Sequence, residues 1–492
     1  MEFLDPKQKR RRSLLLFTGY FLFIVVIIMS TVILVFRASG YDRDQKTGKI
    51  IQNGMLFIAN EPESSAVTIN GQKRSERTTA RIALPADTYK VDLTQAGYRA
   101  WHKTITIDGG AVEQVRYPRL FPDKMTAKNV TVYASMPLFF SQSVDQHWVA
   151  VGKAADPLEV DVYDSSRDDL TVVPLKIDAK TVPTDAELAT FKVVEWSTDN
   201  QHFLISYHRP SGTEFVWIDR EKAENALNIN DALGVTPTKV TFKTGDSNQL
   251  YIFDNGGAMV RVADLRARTL SAPLTSAAMA GFPQGDTLYY VTSDPEKPEK
   301  AIVRIHDGDK DYIMAQIPSA NAKDLLAVTY NHHIFVLLSS SVGASTLVQM
   351  YKDPESALRG ASKVLPDPIR AATLTTVQNI SVSPDKRFIL IANKDSQVVF
   401  DIELSRQYRF SLPDLEPEIA NLHWIDDTHL AYVKIGVMNI VEFDAANQQP
   451  TVTSAAGQPA YFDKKGEHLL SLQAAPDGKA AFQTTNLVAT AK

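Results

Sequence analysis

Two clusters in the sequence set metal-ligating or acid–base side chains side by side. His332-His333 supplies two adjacent imidazoles. The pair opens a predicted strand, where neighbouring side chains point to opposite faces, so it reads as a turn or rim feature rather than a chelate. His306-Asp307-Gly308-Asp309-Lys310 has the opening of a calcium loop without its downstream acidic ligands, and reads as a surface hairpin. No Gly-x-Ser-x-Gly elbow, His-Glu-x-x-His pair or phosphate-cradling glycine loop is present. Cysteine is absent, which excludes disulfides, thiolate metal sites and cysteine nucleophiles. The net charge of −5 argues against nucleic acid as a partner, because phosphate neutralisation needs a basic face. No catalytic, cofactor-binding or metal-ligating residue is assigned, no cofactor is expected, and the chain reads as a non-enzyme.

The elements that would carry any site begin with a membrane signal. Residues 1–13 hold Lys7, Lys9, Arg10, Arg11 and Arg12. Residues 14–36 then run without a charge. As a helix this stretch spans about 35 Å, enough to cross a hydrocarbon core of about 30 Å. A secretory signal core is shorter, although Ala38-Ser39-Gly40 offers the small residues a signal peptidase prefers. The basic cluster ahead of the span places the amino terminus in the cytoplasm and residues 37–492, with a net charge of −8, outside. The expected localisation is therefore a single-pass cell membrane protein, held in the lipid bilayer through residues 14–36. Residues 37–53 are polar and without apolar periodicity, and read as a stalk that could extend on the order of 55 Å.

Residues 54–120 alternate short apolar runs with turn residues. Val67-Thr68-Ile69 ends in Asn70-Gly71, a pair that tolerates positive φ and closes a two-residue hairpin. Arg81-Ile82-Ala83-Leu84 and Tyr89-Lys90-Val91-Asp92-Leu93 have the period of half-buried strands. With Pro62, Leu84-Pro85-Ala86-Asp87-Thr88-Tyr89-Lys90-Val91, Gly97-Tyr98 and Leu120, this segment resembles a PEGA domain. The resemblance implies a small β-sandwich of surface and envelope proteins, without catalytic residues, serving as spacer or binding module. Ser65, Asp87 and Thr78-Thr79 depart from the family pattern. Tyr98 and Trp101 are candidates for an exposed aromatic pair that stacks on sugar, against the alternative of core packing.

From 129 to 492 the chain repeats itself. Ser143-Val144-Asp145, Ser197-Thr198-Asp199 and Ser383-Pro384-Asp385 each separate two apolar runs, and degenerate copies surround Asp426-Asp427 and Asp463 to Gly466. The Asp of each turn is expected to accept hydrogen bonds from turn amides. Second strands start at intervals averaging about 46 residues, a β-propeller period. Eight copies give about eight blades, with seven as the alternative. Val130-Thr131-Val132-Tyr133 is free to close the ring as the last blade's fourth strand. The Ser-Pro-Asp-Lys-Arg-Phe copy resembles the repeats of TolB-type, WD-like propellers, which implies a fold and not an activity. The Ser-x-Asp turns differ from the Asp boxes of sialidases in lacking the Gly-x-Thr-Trp ending. Loops at 293–301, 339–346 and 352–372 are long enough to shape a binding face.

The expectation is an all-β protein behind one transmembrane helix, bacterial and membrane-anchored by resemblance. Its predicted function is extracytoplasmic binding or scaffolding in the cell envelope, with protein or glycan as ligand and a monomeric ectodomain. The rival is an envelope glycan hydrolase or lyase with a site on the propeller axis.

Overall fold

The computed structural model describes residues 6–38, 40–43, 50–167, 169–297, 299–308, 310–318, 322–359, 366–412, 415, 422–455, 458–475 and 477–489. It comprises two compact units, Met1–Asp123 with Ala489–Lys492, and Lys124–Val488.

The first unit starts with helix α1, Pro6–Ala38. Its segment Ser13–Phe36 has a mean hydropathy of 2.8 and no part of it is buried. Leucine, isoleucine, valine and phenylalanine point outward all round, and the segment is long and apolar enough to cross a membrane. Thr18 returns its hydroxyl to the Leu14 carbonyl at 2.9 Å, so this polar group is satisfied within the helix.

Part of the segment expected to be an extended stalk is strand. β1 (Tyr41–Arg43) pairs antiparallel with the start of β2 (Ile50–Ile58), Tyr41 opposite Gln52 and Arg43 opposite Ile50. The Tyr41 ring stacks on Phe36, the last residue of the apolar segment, at 5.0 Å. Tyr, Ile and the aromatic stack outweigh the polar composition that suggested a tether. Residues 44–49 lie outside the described residues.

The module continues with β3 (Ala66–Ile69), β4 (Gln72–Arg77), β5 (Ala80–Pro85), β6 (Asp87–Thr94), β7 (Trp101–Ile107) and β8 (Val112–Val115). β2 lies between β5 and β8, and a second sheet runs β4-β3-β6-β7. Alternation sends Ile82, Leu84, Val91 and Leu93 inward, where they meet Leu56, Ile58 and Val67. Asn70 and Gly71 both have positive φ in the β3–β4 turn. Two departures from the family pattern join a buried polar knot. Ser65 accepts from Asn60 Nδ2 at 2.8 Å and donates to Gln95 Oε1 at 2.9 Å. The Thr78 hydroxyl accepts from the Ser65 amide at 2.9 Å and donates to Asn60.

The second unit is a β-propeller. Among the described residues, eight four-stranded antiparallel sheets span 139–176, 187–228, 239–270, 280–318, 322–374, 379–410, 423–453 and 460–486. The last sheet takes its fourth strand from β9 (Ala127–Tyr133), which pairs with Ala480–Asn486. Second and third strands are apolar runs rather than alternations. Phe388–Ala392 and Gln397–Asp401 are buried throughout, because each sheet has a neighbour on both faces. The fourth strands face solvent, as in Thr171–Lys176.

First strands meet around the axis. Glu195 accepts from the Thr241 hydroxyl at 2.6 Å and the Phe242 amide at 3.0 Å, linking the second and third sheets. Asn379 donates to the Leu422 carbonyl at 3.0 Å, and Gln142 to the Phe462 carbonyl at 2.6 Å, which joins the first sheet to the last.

Replacing Thr78 with Val keeps the shape of the side chain and strands Asn60 Oδ1 and the Ser65 amide, both in buried residues. The expected cost is about 1–3 kcal/mol, read as an earlier denaturant midpoint for the module's transition.

Candidate functional site

The repeated turns carry carboxylates that could do chemistry. In three of them a serine hydroxyl donates to the Asp two residues on: Ser143 to Asp145 at 2.6 Å, Ser197 to Asp199, and Ser383 to Asp385 at 2.6 Å. The same serine oxygen accepts an amide, from Trp148, His202 and Phe388, at 2.9 Å each time. The carboxylate accepts a further amide, from His147, Gln201 and Arg387. Asp426 and Asp463 do the same in the degenerate copies, with the His429 and His468 amides. Burial works against it, yet hydrogen bonds from Ser197, Ser247 and the Gln201 amide hold the Asp199 carboxyl down to about 2. These carboxylates clamp hairpins.

The other sequence candidates resolve likewise. His332 has positive φ in the turn after Asn331, and His333 lies 2.6 Å from Asp353, which also accepts the Ile334 amide. Asp307 and Lys310 are opposed across a hairpin with Gly308 at positive φ, and Asp307 pairs with Arg359. Asp309 lies outside the described residues. Among the described residues no group of three His, Asp or Glu side chains could hold a metal ion. Trp101 is 1% exposed and packs edge-on against Tyr117 in the module core, so it is not half of an exposed sugar-stacking pair. Strand alternation puts it on the buried side with Ile105 and Ile107. Tyr98 packs on the same core, and its hydroxyl accepts the Ala489 amide at 2.7 Å. Residues 339–346 are not a long loop: Ser340 to Ser345 belong to a tight hairpin of two long strands.

Among the described residues of the propeller, a concave site of about 440 Å³ is lined by Val173, Lys176, Arg220 and Glu224, on the outer strand of the first sheet and the turn after the second sheet's third strand. Two smaller ones accompany it. One, of about 220 Å³, lies along the axis between first strands of the fourth, fifth and sixth sheets. Phe282, Leu326, Val377 and Ile380 supply its apolar wall, and Gln378 and Asn379 its amides. Its carboxylate is Asp324, which accepts the Ser339 hydroxyl at 3.2 Å while the Asp324 amide donates to the same oxygen at 2.9 Å. Glycosidic hydrolysis in its common form needs two facing carboxyl groups, and this wall presents one.

The other cleft, of about 240 Å³, sits where the ring closes, beside Tyr133, Lys153 and Asp161. Tyr133 donates to Asp161 at 3.1 Å, and the Tyr133 and Tyr163 oxygens are 2.7 Å apart. Tyr163 donates to Thr131 at 2.8 Å. Lys153 pairs with Asp161 at 3.1 Å and Glu159 at 3.2 Å. Burial raises both phenols above their ordinary value, with Tyr163 and Asp161 adding to the shift at Tyr133. Against desolvation, Asp161 and Glu159 hold the Lys153 ammonium above its ordinary value. A neutral phenol pair and an ion pair already satisfied by its neighbours bind strands together. Sequence spacing could not reveal this group, but a carboxylate inside the apolar run Val160–Tyr163 signals that a partner must exist.

Asp427 is a carboxyl whose titration reaches mild acid. Burial, then the charges of Asp385 and Asp426, push it up to about 6. The folded state therefore keeps a proton that the unfolded chain, with an ordinary value of about 3.9, gives up earlier. Its stabilising contribution is complete below about 4 and is lost as pH rises through about 6. Because Asp427 is an exposed residue, solvent screening keeps the effect small. Asp427→Asn should melt above the parent at pH 7, with the gap closing by about pH 4, in a thermal melt series across pH.

Residues 53–118 match the family of the PEGA domain. No curated protein matches the chain. Among solved structures, Hsv2 from Kluyveromyces lactis, with loop 6CD replaced by a Gly-Ser linker, is similar at a TM-score of 0.38 and 12% identity, over 72% of this chain and 99% of that one. The β-propeller domain of Cps50 from Myceliophteria thermophila is similar at 0.36 and 10%, over 73% and 99%. An oligogalacturonate lyase from Vibrio parahaemolyticus is similar at 0.36 and 9%, over 60% and 88%. The chain contains a match to the PEGA domain at residues 53–118, followed in sequence by the four-stranded sheets of the second unit.

Proposed function

We propose that this chain is a single-pass, membrane-anchored binding protein of the cell envelope, with a protein or glycan as ligand. The bare apolar helix supports the anchor, since Ser13–Phe36 has nothing folded over it and five basic residues precede it. That charge order favours a cytoplasmic amino terminus, with the module and propeller on the other side.

The observation that carries a binding role is the lining of the axial cleft. Phe282, Leu326, Val377 and Ile380 give apolar contact, Gln378 and Asn379 give donors and acceptors, and Asp324 is hydrogen-bonded. Such a wall suits recognition, in which area and a few polar contacts set affinity and orientation. The acid–base pair of a glycan hydrolase or lyase would need a second titrating group in reach.

The full chain is expected to stay in the membrane pellet after alkaline carbonate extraction. Deletion of residues 1–36 is expected to release a soluble chain with a cooperative melt; release of the full chain, or aggregation of the shortened one, argues against the anchor.

A glycan array and a pulldown with the shortened chain test the ligand. Phe282→Ala is expected to weaken the captured ligand about tenfold, as loss of a buried aromatic anchor does. Shortened glycan products on incubation would replace binding by the hydrolase or lyase reading.

A further inference from the structure

The outward face of the sheet formed by β2, β5 and β8 has no function so far. Alternation along β2 sends Leu56 and Ile58 into the core and leaves Met55 and Phe57 on the other side. Across the sheet, Met55 is opposite Val112 of β8, and Phe57 is opposite Arg81 of β5. Met55 is 38% exposed and Val112 56% exposed. The Arg81 guanidinium sits 5.7 Å from the Phe57 ring centre, and Arg116 sits 4.6 Å from it. The outward positions of β2, β5 and β8 hold no carboxylate among the described residues. The face is thus an apolar strip with an aromatic ring held between two cations.

The route of the chain limits what can cover it. β1 starts three residues after α1 ends, belongs to this same sheet, and stacks Tyr41 on Phe36. Five residue steps from Phe36 to Tyr41 reach at most about 17 Å. The field of a charged bilayer fades over roughly 8 Å at physiological salt, so only a sheet tied this closely can use it. Exposed methionine and valine beside a half-buried phenylalanine flanked by two arginines match the boundary between acyl chains and anionic headgroups, where rings sit at headgroup level and guanidinium binds phosphate.

We propose that this face lies on the membrane that anchors α1, with Met55, Phe57 and Val112 at the interface and Arg81 and Arg116 on the phosphates of anionic lipid. The proposal rests on the anchor reading above. It adds that the module is a lipid-bound platform rather than a free spacer.

The chain has no cysteine, so one label can be placed at will. The full chain carrying Met55→Cys, or Lys90→Cys on the exposed side of β6 as control, is labelled with an environment-sensitive fluorophore. Each is reconstituted in nanodiscs of phosphatidylglycerol or of phosphatidylcholine that contain headgroup-spin-labelled lipid. Quenching of about twofold is expected at position 55 in the anionic discs, with little in the neutral discs or at position 90. Adding Arg81→Glu and Arg116→Glu should abolish it. The milder pair Arg81→Gln and Arg116→Gln should weaken it, and serves if the reversed pair fails to fold by near-ultraviolet circular dichroism.

Equal quenching at both positions, quenching indifferent to lipid charge or to the arginines, or none in the anionic discs overturns the lipid contact and leaves the anchor standing. Disulfide-linked dimers through position 55 would assign the face to a second copy and overturn it too. A full chain that fails to enter discs overturns the anchor and this proposal together.

Discussion

A four-stranded sheet whose middle strands are apolar on both sides cannot stand alone, and it cannot end a row. This constraint governs residues 127–486. Phe203, Ile205 and Val216 face one neighbouring sheet and Leu204, Phe215 and Trp217 the other, and both sets are buried. A row of such sheets is stable only when its first and last members cover each other. The pairing of β9 with Ala480–Asn486 does this covalently distant work, and Phe140, Tyr163 and Phe482 fill the seam. The Tyr133, Asp161 and Lys153 group is the polar part of the same seam. Its side chains are satisfied by one another, as a buried polar group requires.

That closure explains which chemistry the fold spends and which it leaves over. The turn carboxylates are consumed by hairpin amides, and the seam carboxylate by a lysine and a phenol. The 220 Å³ cleft is walled mostly by apolar side chains and amides, and the first strand Ala280–Gln284 beside it is half-buried along its length. Recognition by shape is the use such a surface offers, and it is a use that fold alone does not specify.

Much of the architecture was legible in the sequence, for identifiable reasons. Runs such as Phe388–Ala392 advertise strands buried on both faces, and the recurring Ser-x-Asp turns set the phase between them. The module's strands showed the plain alternation of a one-sided sheet. The cleft was not legible. Phe282, Asp324 and Ile380 lie in three different sheets, and only the ring brings them together. For Trp101 the alternation with Ile105 decides for the core-packing alternative over an exposed sugar-stacking pair. The polar stretch after the span misled, since three residues of strand pairing suffice to cancel a tether. Ser65 and Thr78, which depart from the family pattern, bond each other directly and through Asn60.

The seam also has a consequence in time. Asn129 and Gln483, which share a hydrogen bond of 2.8 Å across it, are 354 positions apart. At typical elongation speeds of about 5–20 residues per second, the earlier strand emerges roughly 20–70 seconds before its mate exists. Through that interval its amide and carbonyl edge is unclaimed, and so is the apolar flank of the first sheet beside it. A chain built this way depends, while being born, on whatever keeps a half-made ring from joining the half-made ring next to it.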